Sequence, residues 1–184
     1  MNEEQAIAAA RAGDQRAFGV LVRHYQHMVY TVCSRVLRHA HEAEEAAQDS
    51  FVKAYQHIGG YQGQSKFSTW LYSIAYRTAI SKLRVRPAAT ADLEDAAHAS
   101  VPLAEGTDME GTDRKAALDR ALAKLPAEDA TIVTLFYLAE QSVEEIVTAT
   151  GLSASNVKVK LHRSRKKLLE HLQKDLKEET WAIQ

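Results

Sequence analysis

Apolar residues recur every three to four positions along most of this chain, and its first half contains no alternating stretch. The pattern predicts helices rather than strands. A short Ala-rich helix over residues 3–12 ends at Gly13. Asp14 can cap the next helix, which runs to about Arg38 with Phe18, Leu21, Val22, Tyr25, Val29, Val32 and Val36 as a wide apolar stripe. A third helix over about 42–58 turns Ala47, Phe51, Ala54, Tyr55 and Ile58 inward. A glycine-containing loop, 59–65, leads to a fourth that starts at Ser65 or Lys66 and reaches Arg84, with Phe67, Leu71 and Ile74 in the core. Pro87 breaks it. Helix returns near Arg114 with Leu118, Leu122 and Leu125. Pro126 suits the first turn of another, carrying Ile132, Val133, Leu135, Phe136 and Leu138.

The stretch Ser142–Leu172 has the most specific local spelling. Ser142 followed three residues later by Glu145 is a capping box, in which hydroxyl and carboxylate each satisfy a free backbone N–H. Val143, Ile146 and Val147 lie on one side of the short helix it opens, and Gly151 can take the left-handed conformation that stops it. Ser153 can cap a longer helix with Val157, Leu161, Leu168 and Leu172 at helical spacing. Short helix, glycine turn, longer helix is the pattern of a helix-turn-helix. The expected fold is therefore all-α. Two helical domains, 1–86 and 114–177, are joined by a flexible acidic linker, 87–113, and followed by a tail, 178–184.

Charge changes the picture through its distribution. The 184 residues carry a net charge of only −1, yet 87–113 holds seven acidic residues and no Lys or Arg. Basic residues gather on either side, so the near-neutral total says little about partners. The longer helix of the helix-turn-helix carries Lys158, Lys160, Arg163, Arg165, Lys166 and Lys167, with Asn156 near its start. Such a helix can lie in a major groove, its first turns toward base edges and its charges toward phosphates. Around the fourth helix, aromatics at 61, 67, 70, 72 and 76 interleave with Lys66, Arg77, Lys82 and Arg84 beside the glycine-rich loop. That combination suits unstacked bases of a single strand. Helix three presents Glu42, Glu45, Gln48 and Asp49 with Lys53. Periodicity alone favours a solvated face there over a docking surface.

Other chemistry is thin. Cys33 is the only cysteine, which rules out an intramolecular disulfide and leaves a buried apolar role among Val29, Val32, Val36 and Leu37. His39, His41 and Glu42 match no common zinc spacing, so no metal site is expected, and neither catalytic residues nor a cofactor. No run is apolar enough to span a membrane, Met1-Asn2-Glu3-Glu4 lacks the basic region and following apolar segment of a signal peptide, and a cytoplasmic location is expected. A stand-alone helix-turn-helix regulator and an enzyme are the alternatives. The first would not need the 43–55 and 67–75 strings, and the second lacks a nucleophile, phosphate loop or metal constellation.

Those strings carry a resemblance. Ala43-Glu44-Glu45-Ala46-Ala47-Gln48-Asp49-Ser50-Phe51-Val52-Lys53-Ala54-Tyr55 resembles the core-polymerase-binding segment of bacterial RNA polymerase sigma factors of the extracytoplasmic-function (ECF) type. Phe67-Ser68-Thr69-Trp70-Leu71-Tyr72-Ser73-Ile74-Ala75 resembles their promoter-melting segment. Leu125-Pro126, Glu144-Glu145-Ile146 and the string from Asn156 to Leu168 resemble their fourth region. The resemblance implies a sigma factor that binds core RNA polymerase through Glu45, Gln48, Asp49 and Lys53 on the β′ clamp helices, with further contacts to the β subunit. It overturns the solvated-face reading of helix three. It places Tyr61, Lys66, Ser68, Thr69, Trp70 and Arg77 on the −10 single strand. Ser155, Asn156, Lys158 and His162 would read the −35 duplex, with Lys160, Arg163 and Arg165 on phosphates. It also implies an anti-sigma factor as regulator and no small-molecule substrate. Arg77, Ser81 and Val159 depart from the family's frequent Asn, Asp and Ser, which leaves the preferred promoter sequence open.

Overall fold

The computed structural model describes residues 1–85 and 109–181, and every regular element within them is helical. The first bundle comprises α1 (Glu3–Arg11), α2 (Gln15–Leu37), α3 (Ala40–His57), a 3-10 turn (Ile58–Gly60) and α4 (Phe67–Val85). The second comprises α5 (Met109–Ala123), α6 (Ala127–Tyr137), α7 (Val143–Thr150) and α8 (Ala154–Trp181). Capping explains several boundaries. Asp14 accepts hydrogen bonds from the Arg16 and Ala17 amides at the start of α2. His39 opens α3 by accepting from the Glu42 amide through Nδ1 at 3.3 Å. That is a structural use of the histidine earlier weighed as a metal ligand. Among the described residues, no group of three His, Cys, Asp or Glu side chains could hold a metal ion.

Two boundaries differ from expectation. Helix resumes at Met109, five residues before Arg114. Helix also continues to Trp181, into the stretch expected as a tail. The rest of the expected linker, up to residue 108, and the last three residues lie outside the described ones.

The first core is built around α2, whose predicted stripe is buried except for half-exposed Val22. Helix α3 meets it chiefly through small residues, Ala43, Ala46, Ala47, Ser50 and Ala54, with Phe51 and Tyr55 only half buried. Cys33 is fully buried, and burial pushes its thiol up to about 12, in keeping with the packing role expected of it.

The two bundles pack against each other. At the end of α2, Thr31 through Leu37 are all buried, and in α6 so are Asp129 through Leu135. A helix buried all round is covered on more than one side, and here each of these two covers the other. Arg35 on α2 forms a buried ion pair with Asp119 on α5, and Arg38 donates to the Leu125 carbonyl. Further along, α4 lies against α7.

Candidate nucleic-acid interface

The helix-turn-helix forms as its spelling requires. Ser142 Oγ accepts from the Glu145 amide at 3.2 Å, and Glu145 Oε2 accepts from the Ser142 amide at 2.8 Å. Gly151 closes α7 at φ +78°, a region that disfavours residues bearing a Cβ, while its amide donates to the Val147 carbonyl at 2.8 Å. Ser153 then caps α8 by accepting from the Asn156 amide. Along α8, Val157, Leu161, Ser164 and Leu168 are buried. With 3.6 residues per turn, Ser155, Asn156, Lys158, Val159, His162, Arg163 and Lys166 fall on the opposite arc, and all are exposed.

Two of the expected phosphate contacts are placed differently. Lys160 turns toward α6, where its ammonium lies 2.8 Å from Asp129 and 2.7 Å from Glu128. These carboxylates stabilise the charged form and raise the lysine's pKa. Position 160 is a turn-edge away from the arc's centre, which the count of cations in the sequence does not reveal. Arg165 is exposed, but its guanidinium stacks over Phe136 and Tyr137, 5.7 and 5.4 Å from the ring centroids, so a phosphate would meet a guanidinium already held in place. Val159 was not among the residues expected to touch DNA. It is nonetheless an exposed valine in the middle of a polar arc, a signal readable from helical periodicity.

On the first bundle, Tyr61, Phe67 and Trp70 form a ring cluster with centroids 5.4–5.5 Å apart. Phe67 is buried, whereas Tyr61 and Trp70 are half-buried and open onto a cavity of about 540 Å³ with Arg77 on its wall. The Tyr61 hydroxyl donates to the Ser65 carbonyl at 2.6 Å and folds the loop back over the helix start. The neighbouring residues are not free. Thr69 is 0% exposed, and its hydroxyl donates to Gln141 Oε1 at 2.6 Å. Lys66 pairs with Glu145 at 3.0 Å, Ser68 accepts from Gln141 at 3.4 Å, and Thr148 of α7 lines the cavity. Thr69, expected on the −10 strand, is thus covered in this arrangement. The residues covering it come from the other bundle.

On α3, Glu45, Gln48 and Asp49 are exposed on one face. Lys82 of α4 reaches across to Glu45 at 2.8 Å and Asp49 at 3.5 Å, and its hydrogen bond holds the Glu45 carboxyl below the usual range. Lys53 instead donates to the Thr78 hydroxyl at 3.1 Å. Beside this face runs a groove of about 370 Å³ lined by Val22, Tyr30, Gln48 and Phe51, among others. The sequence pattern had turned Phe51 wholly inward.

Residues 21–87 match Sigma-70 region 2, and residues 115–168 match Sigma-70, region 4. The chain is 32% identical over 179 residues to the ECF RNA polymerase sigma factor SigW of Bacillus subtilis, spanning 92% of this chain and 96% of that protein. It belongs to the ECF RNA polymerase sigma factors. A second relative, the RNA polymerase sigma-H factor of Pseudomonas aeruginosa, is 32% identical over 187 residues, 96% of each chain. In fold, the chain is similar to the sigma factor RpoE of Bartonella quintana, solved with the anti-sigma factor NepR. That match has a TM-score of 0.69 at 20% identity and covers 85% of this chain and 96% of that one. The two bundles are thus sigma regions 2 and 4. Sigma factors act in transcription initiation with core RNA polymerase on promoter DNA and are not enzymes. Among the described residues, no helix is long and apolar enough to cross a membrane.

Proposed function

We propose that this sigma factor directs initiation by reading a −35 duplex with α8 and holding a −10 single strand at the Tyr61–Trp70 cavity, while the α3 face docks on the β′ clamp helices. The observation that carries this reading is the exposed arc of α8, set on a capped helix-turn-helix and opposite a fully buried stripe. Its first turn presents Ser155, Asn156 and Lys158 to base edges, and Val159 offers an apolar contact for a thymine methyl. Arg163 and Arg165 take phosphates. At the cavity, two half-buried rings stand ready for base stacking, with Arg77 to meet the strand's charge. The Glu45–Asp49 face and adjoining groove form the docking surface, and the β subunit contacts region 4. Residues 1–86 and 114–177 act as the two units, with the intervening acidic segment following the polymerase surface. An anti-sigma factor, of the kind seen with RpoE, regulates the chain.

Run-off transcription with core polymerase on a randomised promoter library tests this directly. The expected result is initiation only when the chain is present, from templates sharing two separated elements. No change in the start sites on adding the chain refutes the reading. Within that assay, Lys158→Ala is expected to relax preference at one −35 base pair by about 1–3 kcal/mol. A uniform weakening on every template would mark Lys158 as a phosphate contact.

A further inference from the structure

Helix α6 treats the two cations at the margins of the α8 arc in opposite ways. Near its start, Glu128 and Asp129 take the Lys160 ammonium at 2.7 and 2.8 Å, so that charge is neutralised inside the protein. At its end, Phe136 and Tyr137 hold the Arg165 guanidinium, 5.7 and 5.4 Å from the ring centroids. The two rings stand nearly edge to face, with centroids 5.0 Å apart and planes at 75°, and the guanidinium sits in the corner between them. Rings cancel no charge. Among the described residues no carboxylate pairs with Arg165, which lies at an exposed position. Tyr137 is itself 49% exposed, although the run before it, Asp129 through Leu135, is buried. Core packing therefore does not account for a ring at 137.

Position decides what the guanidinium faces. Lys158, His162 and Arg165 follow one another at i, i+4 and i+7, so they form one row along α8. Arg165 lies about 10 Å further along the axis than Lys158. A helix that sets its first turn against base edges brings a residue two turns later to the backbone at the groove's margin. We propose that Phe136 and Tyr137 are positioning residues for DNA binding, an aromatic shelf that aims Arg165 at a phosphate beside the −35 groove. This inference rests on the reading of α8 as the duplex reader and adds two residues to it. The rings take the faces of the planar guanidinium, while its N–H donors point outward in that plane, free for two phosphate oxygens. An unsupported arginine loses rotamer freedom on gripping a phosphate, and one already held loses less.

Fluorescence anisotropy of the full-length chain with a fluorescein-labelled, random-sequence duplex of about 20 base pairs tests the shelf, because phosphate contacts carry no sequence information. Tyr137→Leu keeps apolar bulk and removes the ring. It is expected to weaken binding about threefold, the size of one exposed cation–π contact. Tyr137→Phe retains the ring and with it the parent affinity. Arg165→Ala should lower the slope of log affinity against log salt by about 0.9, the loss of one phosphate contact. Adding Tyr137→Leu to Arg165→Ala should then change nothing, since no guanidinium remains to be held. A ring that only stabilised the fold would weaken both backgrounds alike.

Equal affinity of Tyr137→Leu and the parent overturns the proposal, and so does a loss that persists in the Arg165→Ala background. Weaker binding by Tyr137→Phe would make the hydroxyl a DNA contact in its own right and refute the positioning role. If Tyr137→Leu fails to fold, proton NMR of the parent chain decides. The shelf shifts the Arg165 Cδ protons upfield by ring currents, with and without duplex, and unshifted signals sink it. Failure of the duplex reading looks different: Arg163→Ala and Arg165→Ala would both leave affinity and slope unchanged, and the shelf would fall with it. Loss of affinity in Arg163→Ala but not in Tyr137→Leu removes the shelf and leaves the duplex reading standing.

Discussion

Asp119→Ala should drive the two regions apart without melting their helices. Arg35 and Asp119 are 5% and 7% exposed, so their charges are held away from water and compensated chiefly by each other. Removing the carboxylate leaves a buried guanidinium whose Nε already has no hydrogen-bond partner among the described residues. Stranding a charge in this way costs about 3–5 kcal/mol. The location of the pair decides how that cost appears. Because Arg35 belongs to α2 and Asp119 to α5, parting the bundles returns the guanidinium to water, which is a smaller change than unfolding either core. Small-angle scattering should show an increased radius of gyration, while far-ultraviolet circular dichroism stays close to that of the parent chain. An unchanged radius would mean that Arg35 is rehydrated in place and that the pair does not hold the interface.

Ile132→Ala is expected to act differently. Ile132 is fully buried at the centre of α6, within the run that is covered all round by α2 on one side and α8 on another. Truncation removes three carbons and leaves a cavity that elements on several sides would have to move to fill, costing about 2–5 kcal/mol. Domain stabilities are about 5–15 kcal/mol, so this is a substantial fraction of the whole. Urea unfolding should show a lower midpoint at an unchanged slope. Duplex binding by α8 should fall with stability, because α6 is the floor on which the recognition helix sits. A midpoint shift below about 1 kcal/mol would show that the site collapses and that packing at α6 is looser than its burial implies.

The helices were legible because periodicity and capping act locally. The Ser142–Glu145 box, Gly151 and Ser153 needed no knowledge of the rest of the chain, and each does what its residue type allows. The packing of one bundle on the other was only partly legible, because polar groups are buried in it beside the apolar ones. Thr31, Ser34, Arg35, Asp119 and Gln141 read as solvent-facing from composition, yet all are buried. One signal was present, since Ala130, Ile132, Val133 and Leu135 spread apolar positions around most of α6 rather than along one stripe. The candidate site divides in the same way. The outer arc of α8 follows from counting by 3.6, whereas the diversion of Lys160 to Glu128 and Asp129, and the covering of Thr69, depend on neighbours distant in sequence.

Glu145 holds two commitments at once. It closes the capping box with Ser142 and receives Lys66 from the opposite bundle, and although burial pushes its carboxyl up, these hydrogen bonds together hold it below the usual range. A mutation that discarded the contact with Lys66 by replacing this glutamate would also loosen the first turn of the helix that seats the DNA-reading element. Position 145 is thereby yoked: a substitution there would undo a helix cap in the same step that released a contact between the bundles.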